Sequence, residues 1–189
     1  ETQTYDVIEN VKNFRSELGI LYLNDFNRKV LGKIFEENNL EFHELFDCQE
    51  YVYLWSGHPL AKKKEITLED LEDYPFLSFD QGSNNSFYFA EEVFSTYEYK
   101  QSIKANDRAT MLNLMKGLNG YTLCSGIICE NLNGSEYCAV KLSTEETMTI
   151  GYLKRKGIPL SSIGKEYLKE ISKYNVTIQH TIIPRGVLA

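Results

Sequence analysis

The sequence predicts an α/β fold whose sheets are mixed, mostly parallel, and flanked by helices. Three observations lead there. Along most of the 189 residues, segments with apolar side chains at three- and four-residue spacing alternate with short apolar runs. Strands separated by helices of roughly 10–15 residues are the pattern of βαβ units. Residues 18–23 (LGILYL) form a nearly continuous apolar run, as a strand covered on both faces requires. The chain is also long enough to bury a core, as one large domain or two small lobes.

Taken in order, residues 5–14 carry Ile8, Val11 and Phe14 as a helical stripe ahead of the 18–23 strand. Residues 27–37 return to helical spacing with Val30, Leu31, Ile34 and Phe35, and Asn38-Asn39 ends that helix. Residues 41–46 and 49–56 read as strands, and Ser56-Gly57-His58-Pro59 as a turn. Thr67 starts a short helix with acids in its first turn, cut off by Pro75. Residues 75–79 form a strand, 80–86 a wholly polar loop, and 87–97 a helix with Ala90, Val93, Phe94 and Tyr97 on one side. A strand at 102–105 leads to a helix capped by Asn106, with Leu114, Met115 and Leu118 inward and Gly117 and Gly120 ending it. Strands follow at 121–125, 137–142 and 148–153. Ser161 or Ser162 caps a last helix with Ile163, Tyr167, Leu168, Ile171 and Tyr174 as its stripe. Residues 176–189 are weakly patterned, and Pro184-Arg185-Gly186 argues against a strand there. The pattern begins on a helix without the strand that precedes it in a βαβ unit, so upstream sequence is expected.

Composition narrows the function. A net charge of −7 with no Lys/Arg run is a poor match for DNA phosphates. No stretch approaches the ~20 apolar residues of a membrane span, and the polar N-terminus lacks the regions of a signal peptide. Cys48, Cys124, Cys129 and Cys138 have no CxxC spacing and no histidine cluster, so reduced cysteines in a cytoplasmic protein are expected and a metal is not. Phosphate-loop, dinucleotide and nucleophile-elbow motifs are missing from the sequence. His43, His58 and His180 are scattered, and Glu91-Glu92, being adjacent, would point in different directions on a helix. No catalytic residues and no cofactor are predicted.

Several segments together resemble one family. Residues 17–22 (ELGILY) are similar to the DLGI strand of LysR-type regulators. Gly57-His58-Pro59-Leu60-Ala61, then residues 66–71 (ITLEDL) and 74–77 (YPFL), match that family's HPLA signature with its spacing. Residues 111–127 resemble its helix–GxG–strand segment, with Ile128-Cys129 where a proline usually stands. The resemblance runs from about residue 5 to 174. It implies a two-lobed periplasmic-binding-protein type 2 fold, with residues 1–47 plus 144–189 in lobe I, 48–143 in lobe II, and crossings near Cys48 and Ser143. It also implies an upstream winged helix-turn-helix and linker helix, and an upstream strand and helix that supply part of the pocket. The implied function is effector sensing: a ligand between the lobes controls oligomer geometry and DNA binding by that upstream domain. The alternative is a transporter's solute-binding protein of the same fold, against which the cysteines and the HPLA block argue.

Ligands in open α/β sheets bind beyond the carboxyl ends of strands, where helix N-termini favour anions. Effector-binding candidates are therefore Ser78, Gln81, Gly82, Ser83, Asn84, Asn85, Ser86 and Phe87 in the first polar loop. Asn106, Arg108 and Thr110 at the second strand–helix junction join them, with Arg108 suited to a carboxylate. Tyr22 and Leu23 would face the cleft from lobe I, and Ser125 and Gly126 from lobe II. The expected partners are a small polar, anionic metabolite and a second copy of the chain in a homo-oligomer, with promoter DNA reached only through the upstream domain and no membrane.

Overall fold

The structure is a computed structural model that describes residues 2–128 and 134–174. Its helices are α1 (Thr4–Lys12), α2 (Arg28–Glu37), α3 (Arg108–Leu118) and α4 (Ser162–Ser172). The strands are β1 (Leu18–Leu23), β2 (Leu40–Gln49), β3 (Tyr51–Trp55), β4 (Glu65–Ile66), β5 (Phe76–Phe79), β6 (Ser102–Ala105), β7 (Thr122–Cys124), β8 (Tyr137–Leu142) and β9 (Thr147–Arg155).

Two bodies of structure grow from these elements. In the first, β9 lies between β1 and β2 in a three-stranded sheet. Strict alternation along β1 sends Leu21 and Leu23 into a core with Ile8, Val11, Leu31, Phe35 and Leu153. α1 sits so close to β1 that a Cβ on Gly19 would meet Val7 Cγ1 at 2.4 Å. In the second body, β4, β8, β3 and β7 form a sheet in that order. A bridge between Phe76 and Tyr121 ties the β5–β6 pair to it. Val52, Leu54, Ile66, Leu71, Phe76, Tyr121 and Leu142 make its core, and Met111 and Met115 of α3 pack with Leu77 and Ala105 beside it.

The α/β class and the mixed sheets are as expected, but parallel pairing is not dominant. β1–β9, β2–β9, β3–β7 and β3–β8 are antiparallel, against parallel β4–β8 and β5–β6. The chain leaves the first body along β2 and returns along β9, its neighbour. A strand that comes back beside the one that left must run the other way.

Local chemistry explains several boundaries. Thr67 Oγ1 accepts from Asp70 N–H at 3.3 Å while Asp70 Oδ2 accepts from Thr67 N–H at 3.0 Å. This reciprocal cap holds only a 3-10 turn, Glu69–Leu71. Asp107, not Asn106, caps α3, accepting from Thr110 N–H at 2.8 Å, and Asn119 ends that helix in the left-handed region. Met111 and Met115 face inward there, whereas Leu118 is exposed. Phe14 falls beyond α1 and lies under the Arg155 guanidinium, 4.0 Å from the ring centre. Ser161 caps α4 through Gly164 N–H, but Ile163 and Tyr167 of the expected stripe face outward and only Gly164 is buried.

The helix expected at 87–97 does not form; a 3-10 turn, Phe87–Phe89, stands in its place. Aromatic, β-branched and hydroxyl side chains are weak helix formers, and tertiary contacts pull this stretch elsewhere. Val93 enters the second core, Glu92 Oε1 accepts Phe79 N–H at 2.8 Å, and Phe94 takes a left-handed φ of 55°. The weakly patterned 176–189 stretch and Cys129 lie outside the described residues.

Candidate functional site

A cavity of about 870 Å³ opens between the two bodies. One wall is the outer face of β1: Leu18, Ile20 and Tyr22, the residues that alternate with the core positions Leu21 and Leu23. The opposite wall comes from the middle of β3, from β7 and the residue after it, and from the start of α3, through Tyr53, Thr122, Ser125, Arg108 and Met111. Phe79, Tyr88, Ala90, Glu91 and Glu92 close one side.

Alternation along β3 places Val52 and Leu54 in the core and turns Tyr53 toward the cavity. The Tyr53 hydroxyl and Thr122 Oγ1 are both buried, and neither has a hydrogen-bond partner among the described residues. Leaving such a group unpaired costs about 1–3 kcal/mol. Burial pushes the Tyr53 phenol up to about 12, against the pull of the nearby Arg108 charge. That same charge makes α3's N-terminal end a place where an anion is favoured. Glu92, 4 % exposed, is raised to about 8, first by burial and then by Glu91, with Phe79 N–H pulling the other way. Cys124 is pushed up to about 12 by burial, so it is a poor nucleophile. Among the described residues, no group of three or more His, Cys, Asp or Glu could hold a metal ion.

Of the predicted site residues, Tyr22, Arg108 and Ser125 line this cavity. Tyr22 reaches across it, its hydroxyl donating to the Ala90 carbonyl at 3.0 Å. Leu23 is 3 % exposed in the first core. The polar loop is spent on fastening the two bodies together. Gln81 Oε1 accepts from Thr4 N–H at 3.2 Å, its Nε2 donates to Glu91 at 3.1 Å, and Gln3 donates to the Asp80 carbonyl at 3.0 Å. Gly82 turns back with φ +59°, donating to Asp80 Oδ1, and Ser78 sits mid-ladder opposite Lys104. Ser83, Asn84, Asn85, Ser86 and Phe87 stay outside the cavity lining, and without the 87–97 helix no helix terminus points from them into it. Asn106 and Thr110 are exposed beside Arg108, and Gly126, at φ +76°, packs on the Tyr51 ring. Sequence reasoning missed Tyr53, Thr122, Glu91 and Glu92. The period-2 pattern of residues 51–55 held the signal for Tyr53, since Val52 and Leu54 leave it on the opposite face.

The HPLA block turns out to be structural. His58 is 3 % exposed, its Nε2 bonded to the Asn119 carbonyl at 2.9 Å and its Nδ1 accepting Leu60 N–H at 3.0 Å. The ring therefore carries its proton on Nε2 and is neutral, and burial lowers its pKa. Trp55 Nε1 donates to Asn119 Oδ1 at 2.8 Å, so the turn stitches β3 to the end of α3.

Comparison with known proteins gives a consistent result. Residues 1–169 match the family model of the LysR substrate binding domain. The malolactic fermentation system transcriptional activator of Lactococcus lactis subsp. lactis is 25 % identical over 175 residues, 87 % of this chain and 58 % of that protein. The chain thus spans little more than half the length of that relative. Among solved structures, HinK, a LysR family transcriptional regulator from Pseudomonas aeruginosa, superposes with a TM-score of 0.62 at 14 % identity, covering 93 % of this chain and 58 % of that one. The effector binding domain of QuiR in complex with shikimate gives 0.59 at 20 % identity, covering 95 % and 80 %. The BenM effector binding domain with its effector benzoate gives 0.59 at 17 % identity, covering 100 % and 82 %.

Proposed function

Since the chain belongs to the LysR substrate binding domain family, a regulatory and small-molecule-sensing family rather than a catalytic one, we propose that its cavity takes a small, polar, anionic effector. One observation carries this reading: Tyr53 and Thr122, whose buried hydroxyls have no hydrogen-bond partner among the described residues, line the same cavity as Arg108. The guanidinium suits a carboxylate, and the hydroxyls, turning into the cavity as a ligand seats, regain their lost hydrogen bonds from its oxygens. Ser125 adds a further hydroxyl, and Tyr22 covers the ligand from β1. That solved relatives hold shikimate and benzoate, both carboxylates, agrees with this class.

In this reading residues 1–47 plus 144–189 form lobe I and 48–143 lobe II. The first core, drawn from residues 8–40 and Leu153, supports that division, and the second is drawn mainly from 48–142, with Met148 joining it from across the return crossover. An effector that binds the closed arrangement better shifts the lobe–lobe equilibrium. A homodimer, usually two-fold symmetric, carries that shift to an upstream DNA-binding domain in the cytoplasm. No helix among the described residues is long and apolar enough to cross a membrane, and the −7 charge leaves DNA contacts to that upstream part.

The test is a thermal-shift screen with small carboxylates: benzoate, shikimate and, given the malolactic relative, malate and lactate. A stabilising carboxylate whose effect is lost in Arg108→Ala supports the proposal. Stabilisation that survives that change refutes it.

A further inference from the structure

Glu50 is the single residue between β2 and β3, on one of the two crossovers that join the bodies. Its side chain is 0 % exposed, and neither carboxylate oxygen has a hydrogen-bond partner among the described residues. A buried charge without a partner is among the costliest features a fold can carry. The second crossover, residues 143–146, is held against the first by Leu142 N–H donating to the Glu50 carbonyl at 2.9 Å, and it presents Glu146 to the Glu50 side chain. The other titratable groups that sense Glu50 are Tyr22 from β1, Cys48 from β2 and Cys124 from β7. None is a cation. Tyr22 crosses from the first body into the second core, bonds the Ala90 carbonyl, and also faces Glu91 and Glu92. Glu92 in turn faces Glu91, Lys104 from β6 and Tyr99.

We propose that closure of the two lobes is proton-linked, with Glu50 at the crossover taking up a proton as Tyr22 seats over it. This rests on the two-lobed effector reading above. In the arrangement of this structure, taken in the proposal as the closed one, burial and Glu146 raise Glu50 from 4.5 to about 8. When the lobes part and Tyr22 lifts away, water reaches the carboxyl and it ionises at its ordinary value. The closed state therefore binds the extra proton. Below about pH 4.5 both states are protonated and the link is silent. Between there and about pH 8 the closed-to-open ratio falls about tenfold per pH unit. Mild acid favours the closed cleft and tighter effector binding.

Small-angle scattering of the domain from pH 5 to 8.5 tests this in wild type and in Glu50→Gln, which keeps shape and removes ionisation. Wild type is expected to expand as pH rises, and Glu50→Gln to stay compact throughout. A wild-type radius of gyration that does not change with pH overturns the link, and so does a variant that expands as wild type does. If Glu50→Gln does not fold, Glu92→Gln takes its place: expansion with pH that persists in that variant supports Glu50, and expansion abolished there overturns the assignment. Parallel samples with benzoate or malate separate this from the effector reading. Ligand stabilisation with a pH-independent radius overturns the proton link alone. Expansion with pH and no carboxylate stabilisation supports the link and removes the effector reading.

Discussion

Two regions next to α3 make an instructive pair. At its C-terminal end the His58 ring, the Trp55 indole and both oxygens of Asn119 are all hydrogen-bonded. At its N-terminal end, near Arg108, Tyr53 and Thr122 hold buried hydroxyls that have no partner among the described residues. The first region carries the most recognisable sequence signature and spends it on holding the fold. The second carries no signature, and its two buried hydroxyls have no partner among the described residues, a feature of folded proteins that calls for an explanation such as a bound molecule. Around this helix the satisfied polar groups belong to the scaffold, and the two residues with orphan hydroxyls line the cavity.

Substitutions can break or sharpen that contrast. The largest effect belongs to His58→Ala, which removes two buried hydrogen bonds and leaves the Asn119 carbonyl and Leu60 N–H exposed to a cavity. Urea unfolding should show a loss of about 3 kcal/mol, with effector affinity unchanged in the protein that remains folded. Arg108→Ala reverses the pattern. Calorimetric titration should show affinity for a carboxylate effector falling about ten- to a hundred-fold, since a charged hydrogen bond contributes roughly 1.5–3 kcal/mol, while stability changes little.

Thr122→Val is the sharper instrument. It keeps the shape and deletes a hydroxyl that has no partner among the described residues, so stability should not fall and can rise by up to ~1 kcal/mol. Effector affinity should drop about three- to tenfold. A variant that loses both stability and affinity would return Thr122 to the scaffold class. The smallest effect is expected for Ser86→Ala: exposed and outside the cavity lining, it should leave affinity within about twofold of wild type, a change under about 0.5 kcal/mol.

The same contrast explains what was legible in the sequence. β1, α2, β8 and the caps of Thr67 and Ser161 follow from local pattern and capping chemistry, which need only neighbours along the chain. The 87–97 helix failed because Glu92 and Val93 are claimed by Phe79 N–H and by the second core, contacts remote in sequence. Parallel pairing was over-read because alternation of helix and strand does not say which strand returns between β1 and β2. Arg108, Tyr22 and Ser125 were legible as residues at strand ends and at a helix start. The alternation of residues 51–55 does set the face of Tyr53, but the orphan state of its hydroxyl and that of Thr122 is a property of three-dimensional surroundings and has no one-dimensional trace.

The central claim, that these orphan hydroxyls and Arg108 form the effector seat, is tested most directly by a crystal structure of the domain with the carboxylate that stabilises it most. The expected complex places the carboxylate on the Arg108 guanidinium and a ligand oxygen within hydrogen-bond distance of Thr122 Oγ1 or the Tyr53 hydroxyl. A ligand seated on the 81–87 loop, with both hydroxyls still unpartnered, would contradict it.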